Sequence, residues 1–154
     1  DSDDEWRFSY SSQPEHADLC TIPLSNYADF CAHSDRIGVN GDGNFVSWAH
    51  ELLEAGQNCL HDLMLSTIHD PKSKDLYFPH APSERIYSVG LPTIGISLDQ
   101  VYLGVYRNFG NLVSASLPTG LACALQEGRL NRGDKVALIP VSAGLVAAVV
   151  EFTY

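Results

Sequence analysis

Helix-like and strand-like apolar segments alternate along this chain, and that alternation restricts the fold more than any other feature. Apolar residues recur every three or four positions between residues 45 and 66, which predicts an amphipathic helix. The apolar run at 76–78 is too short for a helix and fits a buried strand that ends at Pro79 and His80. The predicted order is strand, helix, strand, helix, strand, helix, strand, strand, at residues 6–10, 45–66, 76–79, 83–90, 101–106, 112–128, 135–141 and 145–154. This order predicts an α/β fold in which helices cover a mixed sheet, with the ligand site at the carboxyl ends of strands.

The two parts of the chain differ in character. Residues 1–40 are polar and irregular, which predicts one strand followed by a long surface excursion. Residues 41–154 carry the alternating segments and form the main layered unit. Within that unit, residues 112–128 are small or apolar on nearly every helical face, which predicts a central helix buried by close neighbours.

Composition excludes several kinds of function. The net charge of -10 repels phosphate backbones, so we expect no nucleic-acid partner. No apolar run reaches the roughly 20 residues that span a bilayer, and the first residues lack the pattern of a signal peptide, so we expect no membrane partner and a cytoplasmic location. The four cysteines form no C-x-x-C pair and the histidines no ligand pair, so we expect neither a disulfide framework nor a metal site.

Two segments place polar residues where predicted strands end. Residues 79–86 read Pro-His-Ala-Pro-Ser-Glu-Arg-Ile, and residues 109–116 read Phe-Gly-Asn-Leu-Val-Ser-Ala-Ser. Residues 128–136, Gly-Arg-Leu-Asn-Arg-Gly-Asp-Lys-Val, precede the two final predicted strands and a turn that contains Gly144. Either of the first two segments alone is modest evidence, but their order and the spacing from His80 to Asn111 make the combination specific.

From about residue 40 to the end, the chain resembles β-ketoacyl synthase III. That family has a Pro-His-Gln-Ala-Asn-x-Arg-Ile segment with a catalytic histidine, and about thirty residues later a Gly-Asn-x-x-Ser-Ala-Ser segment with a catalytic asparagine. The resemblance implies a thiolase-like layered α/β fold, of which this chain is the C-terminal half. It also implies that the nucleophilic cysteine lies in an N-terminal half outside this chain, because none of the four cysteines matches it.

The resemblance implies a Claisen-type condensation by an acyltransferase. An acyl group is held on the cysteine, while His80 and Asn111 stabilise the enolate formed from the extender thioester. Ala143 and Gly144 match the position of a backbone oxyanion donor, and Ser83 and Arg85 match positions that contact substrate near the pantetheine tunnel.

The resemblance also implies partners. They are the cysteine-bearing N-terminal half, as a separate or cleaved chain, and a homo- or heterodimer of thiolase-like units. The expected substrates are acyl-CoA or phosphopantetheine thioesters of acyl carrier protein, with no bound cofactor and no metal.

The sequence departs from the family pattern at several positions. Ala81 replaces the glutamine after the histidine, Ser83 replaces an asparagine, and Ser142 and Ala143 replace glycines in the last turn. These departures leave open the acyl chain, the extender and the decarboxylating step. Alternatives are therefore a non-decarboxylating acyltransferase, a catalytically silent thiolase-fold scaffold and, with the least support, a free-standing small-molecule binding module.

Overall fold

The structure is a computed structural model that describes residues 5–26, 33–80 and 82–154. It contains four α-helices and several short 3-10 turns among seven strands. The helices are α1 (Ala49–Thr67), α2 (Glu84–Thr93), α3 (Gly104–Phe109) and α4 (Ser116–Gln126). The strands are β1 (Arg7–Ser12), β2 (Cys20–Thr21), β3 (Val46–Ser47), β4 (Leu76–Pro79), β5 (Lys135–Ile139), β6 (Val141–Ser142) and β7 (Val146–Thr153).

A mixed sheet in the order β1-β7-β5-β4 organises the chain, and β6 pairs with β7 beside it. Strands β4 and β5 are parallel, whereas β7 is antiparallel to both β5 and β1. Strands β1, β4 and β5 therefore end at the same edge of the sheet, the edge that the sequence predicts for the site. A second, two-stranded sheet pairs β2 with β3.

Side chains that alternate along the strands build a separate core on each face of the sheet. On one face Tyr77, Ala137 and Val149 pack with α1 and α2 in a core that includes Cys59 and Met64. This is the expected consequence of the apolar stripe along α1.

The opposite face is packed by α4. There Phe78 and Val136 contact Tyr102 and Ala124, and Gly120 lets the helix approach the sheet closely. A Cβ added at Gly120 would lie 3.2 Å from Cδ1 of Phe78. The two cores confirm a layered α/β fold with helices on both faces of a mixed sheet.

The first part of the chain joins the same sheet. The predicted strand at residues 6–10 is confirmed as β1, which pairs with β7 along its whole length. The backbone of Gln13 then exchanges two hydrogen bonds with Leu145, which anchors the following segment to the last turn. The division of the chain at residue 40 remains a prediction.

The predicted strand at residues 101–106 is wrong. Only Val101 forms a bridge, parallel to Tyr77, and the chain turns at Leu103 into helix α3. The ring of Tyr102 is buried against Phe78, and its hydroxyl donates a hydrogen bond to Glu127. Packing of the Tyr102 side chain keeps residues 102–106 out of the sheet, although their β-propensity favours a strand.

Two helices also differ from their predictions in detail. Helix α2 continues through Pro92 to Thr93, beyond the stop predicted near Gly90. Helix α4 starts at Ser116, after a 3-10 turn at Val113–Ala115, and it buries one face rather than all of them. None of the helices that the structure describes is long and apolar enough to cross a membrane.

Candidate active site

His80 follows β4 directly, and its backbone is fixed on both sides. Its N–H donates to the carbonyl of Ile139 at 2.8 Å, and its own carbonyl accepts a hydrogen bond from the buried Tyr87 hydroxyl. The first bond extends the β4–β5 pairing by one residue, and the second ties the loop to α2. The imidazole therefore starts from a rigid position at the carboxyl edge of the sheet.

Asn111 follows α3 rather than a strand, so the prediction that adjacent strands deliver both polar groups is wrong for this residue. Helix α3 ends at Gly110, whose backbone has φ 74° and ψ -152°. An added Cβ at Gly110 would meet no atom within 4 Å, so conformation rather than space requires glycine here. This turn sends the chain back toward the sheet edge at Asn111.

Val113 links the two motifs through its backbone. Its N–H donates to Oδ1 of Asn111 at 2.9 Å, which fixes the carboxamide oxygen and leaves the two amide hydrogens of Asn111 available. Its carbonyl lies within hydrogen-bonding reach of the His80 imidazole, where it favours the protonated ring. His80 and Asn111 are therefore brought to one place, as the spacing of the motifs predicts.

The His80 ring is half-buried, and burial lowers the pKa of its imidazole below the ordinary value. The hydrogen bond to the Val113 carbonyl raises the pKa again in part. The ring is therefore neutral at pH 7. A neutral imidazole has one N–H that can donate a hydrogen bond and one ring nitrogen with a lone pair that can accept a proton.

A proton titration of His80 checks this electrostatic environment. The midpoint of its ring C–H chemical shift should fall below 6.5, the ordinary histidine value. The unfolded chain then binds this proton more tightly than the folded chain does. Protonation of His80 therefore lowers the free energy of unfolding as the pH falls below about 6.5. A midpoint at or above 6.5 would contradict the burial of the ring.

A salt bridge joins the helices on either side of the site. Arg107 in the last turn of α3 donates from Nε to Glu84 at 3.0 Å and from Nη2 to the second oxygen of the same carboxylate. This two-point contact lowers the pKa of Glu84. It holds the start of α2, just after His80, against the end of α3, just before Asn111.

The other predicted site residues are placed less closely. Ser83 is half-buried at the start of α2, three residues after His80, whereas Arg85 is exposed on the first turn. Within the described residues Arg85 forms no ion pair. Ala143 and Gly144 lie in the turn between β6 and β7, at the same sheet edge as His80. Ala81 lies outside the described residues. The roles of Ser83, Arg85, Ala143 and Gly144 remain predictions.

Sequence reasoning missed Tyr87 and Val113. An asparagine whose side chain accepts from the backbone two residues on is a readable turn signal, and it could have pointed to residue 113. The conformation of Val113 could not have been read in this way, because its φ of 53° is rare for a β-branched residue. The strain lies at the residue that joins His80 to Asn111.

Relief of this strain should be measurable. Val113→Asn should stabilise the chain by about 1 kcal/mol, because asparagine tolerates the left-handed region and valine there costs about 1–2 kcal/mol. The side chain of Val113 is 66% exposed, so little packing is lost. Thermal unfolding should show a Tm higher by about 2–4 °C. The matched change Val89→Asn, at an exposed position within α2, should give no increase. A lower Tm for Val113→Asn would show that its φ carries no strain.

The described residues contain no group of three or more His, Cys, Asp or Glu side chains that could hold a metal. What they offer is a proton acceptor on His80 and amide donors on Asn111. A basic nitrogen beside a carboxamide suits the activation of a thiol and the stabilisation of a developing oxyanion.

Residues 68–154, more than half of the chain, match the family described as 3-oxoacyl-(acyl-carrier-protein) synthase III C terminal. The chain belongs to this family of condensing enzymes. The match includes both motifs and the last turn, and it confirms the resemblance to β-ketoacyl synthase III.

Curated relatives carry the same family name. The chain is 32% identical to β-ketoacyl-(acyl-carrier-protein) synthase III of Clostridioides difficile over 79% of its own length and 36% of the relative. It is 28% identical to the corresponding protein of Bartonella bacilliformis, over 73% of this chain and 38% of that one. The chain thus spans little more than a third of the length of these two relatives.

Solved structures show the same fold. A β-ketoacyl-(acyl-carrier-protein) synthase III from Thermus thermophilus superposes with a TM-score of 0.77 at 22% identity, over 96% of this chain and 45% of that one. OleA from Xanthomonas campestris superposes almost as well, with a TM-score of 0.74 at 19% identity, over 98% of this chain and 40% of that one. These likenesses confirm the thiolase-like fold of the C-terminal half.

Proposed function

We propose that this chain supplies the histidine and asparagine of a β-ketoacyl synthase III-type active site that carries out a Claisen-type condensation. The nucleophilic cysteine comes from an N-terminal half, on a separate chain, a cleaved chain or a preceding part of one polypeptide. The substrates are acyl and malonyl-type thioesters of coenzyme A or of an acyl carrier protein, with no bound cofactor. Two such units form a homo- or heterodimer in the cytoplasm.

In the first half-reaction His80 acts as the base. Its free ring nitrogen accepts the thiol proton, the thiolate attacks the acyl thioester, and the departing thiolate takes the proton back. A thiol with an ordinary pKa near 8.5 is only slightly ionised at neutral pH, so a neighbouring neutral imidazole raises the reactive fraction. The lowered pKa of His80 keeps the ring in the neutral form that this step needs.

In the second half-reaction the C–C bond to the carboxylate of the extender breaks, and carbon dioxide leaves. The electron pair passes to the thioester oxygen as an enolate, which then attacks the acyl carbonyl and expels the cysteine thiolate. Asn111 donates an amide hydrogen to that enolate oxygen. His80 donates a second one when its pocket-side nitrogen carries the proton, as the alternative neutral tautomer or as imidazolium. Backbone N–H groups at Ala143 and Gly144 match a donor for the acyl oxygen, and Ser83 and Arg85 contact the pantetheine arm.

The observation that carries this proposal is the double contact of Val113. The Val113 N–H holds the carboxamide oxygen of Asn111 at 2.9 Å, and the Val113 backbone also lies near enough to the His80 ring to affect its pKa. A scaffold has no chemical need for a histidine and an asparagine at one place, which supports an active enzyme over a silent one.

Carbon dioxide release tests the proposal. The assembly that contains this chain should release it from a malonyl thioester and form a 3-oxoacyl thioester when an acyl thioester is also present. Acyl transfer to the cysteine without carbon dioxide would instead identify a non-decarboxylating acyltransferase. Neither reaction in an assembly with an intact cysteine would indicate a silent scaffold.

A further inference from the structure

Tyr87, near the start of α2, is a buried residue whose hydroxyl reaches the backbone of the candidate site. Its side chain is 2% exposed, and its ring lies in the core that α1 and α2 form with the sheet. The hydroxyl donates a hydrogen bond to the carbonyl of His80, seven residues earlier in the chain. Burial raises the pKa of Tyr87, so the hydroxyl keeps its proton and remains a donor at neutral pH.

The carbonyl of His80 lies at the point where the chain leaves the sheet. The pairing of β4 with β5 ends at Pro79 and Ile139, and the His80 N–H extends it by one bond to the Ile139 carbonyl. A backbone carbonyl in a partly buried place needs a donor. Tyr87 supplies this donor from outside the strand, and it thereby fixes the peptide that follows the imidazole.

Helix α2 is itself held on two sides, so the Tyr87 hydroxyl has a fixed origin. At the start of the helix, Glu84 forms its two-point contact with Arg107 of α3. One turn beyond Tyr87, Leu91 is 3% exposed and belongs to the same core as the Tyr87 ring. The hydrogen bond from Tyr87 therefore transfers the position of a packed helix to the backbone of His80.

The segment between His80 and α2 has lost two polar side chains relative to the family pattern. Ala81 stands where that pattern has glutamine, and Ser83 stands where it has asparagine. The Ser83 side chain forms no capping hydrogen bond with α2. Tyr87 lies one position beyond the family segment that identifies His80, so the motif does not reveal it.

We propose that Tyr87 is a positioning residue for the condensation, whose hydroxyl fixes the His80 peptide and thereby aims the imidazole at the oxygen that Asn111 also contacts. The inference rests on the proposed function, and Tyr87 acts through His80 rather than on the substrate. Without the hydroxyl, the His80 carbonyl turns toward water and the ring takes up orientations that miss the thioester. Donors to a charge that develops in the transition state lose much of their effect when they are displaced, so the loss falls on kcat.

Tyr87→Phe tests the hydroxyl, because it keeps the ring in the core. In the assembly that contains this chain, kcat for carbon dioxide release from a malonyl thioester should fall about tenfold, with KM changed by less than about twofold. Tyr77→Phe is the matched control. Tyr77 is equally buried, and its hydroxyl donates to the Pro71 carbonyl at 2.8 Å, ahead of β4 at the opposite edge of the sheet. Its loss should leave kcat unchanged.

The same change in a His80→Ala background separates positioning from a general loss of stability. There Tyr87→Phe should lower carbon dioxide release by less than about twofold, because the imidazole that it positions is gone. Equal losses in the two backgrounds, or an equal loss from Tyr77→Phe, would reduce Tyr87 to a structural role. An unchanged kcat for Tyr87→Phe in an assembly that His80→Ala inactivates would overturn the inference and leave the proposed reaction intact.

An NMR titration of His80 tests the positioning without turnover. Burial lowers the pKa of this ring, and the charged groups on the neighbouring helices, Glu84 and Arg107, are paired with each other. In Tyr87→Phe the ring meets more water, so the midpoint of its C–H shift should rise toward 6.5, whereas Tyr77→Phe should not move it. An unchanged midpoint in Tyr87→Phe would contradict the positioning even in an inactive assembly. A raised midpoint without carbon dioxide release would uphold the positioning of His80 and reject the condensation.

Discussion

Replacement of His80 by alanine should lower condensation by the assembly about a hundredfold or more. In the proposed reaction His80 accepts the thiol proton and is one of two donors to the enolate oxygen, and each donor of this kind is worth about 3 kcal/mol in the transition state. Carbon dioxide release from a malonyl thioester under saturating conditions measures the second step by itself. The loss should appear in kcat rather than in KM, since the oxygen gains its charge only during the reaction.

His69→Ala is the matched control for this prediction. His69 is exposed in the loop after α1, away from the sheet edge that carries His80, and its replacement should leave turnover unchanged. Asn111→Asp is a sharper companion, because it keeps the oxygen that accepts from Val113 but removes the amide donor. Turnover in His80→Ala within twofold of the unaltered assembly would favour the silent scaffold.

Phe78→Ala should destabilise the chain by about 3–5 kcal/mol. The Phe78 side chain is 1% exposed, packs on the Tyr102 ring at 5.6 Å and supports the close approach of α4 at Gly120. Removal of the ring takes away both its transfer free energy and its contacts, and a small core on one face of a five-stranded sheet can close the cavity only in part. Against a total stability of about 5–15 kcal/mol this loss is large.

Urea unfolding of the variant measures this loss, with Phe45→Ala as the matched control. Phe45 stands exposed just before β3, so its truncation should change the free energy of unfolding by less than about 0.5 kcal/mol. A similar small change for Phe78→Ala would show that the α4 core is not packed as the structure describes.

The elements that the sequence predicts best are those whose pattern and packing agree. The stripe along α1, the short apolar run of β4 and the two final strands are all found, because each buries the face that its spacing presents. Residues 101–106 are the exception. Their valines and tyrosines fit a strand, but the burial of Tyr102 beneath α4 and its bond to Glu127 turn the chain into α3. No local pattern reveals a partner 25 residues further along the chain.

The sequence predicts the two motifs of the candidate site, and the catalytic roles of their residues remain predictions. Their spacing and order placed His80 and Asn111 together, and the backbone of Val113 does link them. The route to Asn111 through α3 and Gly110, the anchor from Tyr87 and the positive φ of Val113 depend on tertiary contacts. Helix α4 is found on the sheet as the sequence predicts, and within the described residues it buries the face that carries Ser116, Gly120 and Ala124.

The most direct test of the central claim, that the His80 and Asn111 side chains act on one oxygen, is a double-mutant cycle. Carbon dioxide release is measured for the assembly with His80→Ala, with Asn111→Ala and with both changes. Donors to a single developing charge act as a unit, so the double variant should lose much less than the product of the two single losses. Losses that multiply would mean that the two side chains work independently, and the shared pocket would be wrong.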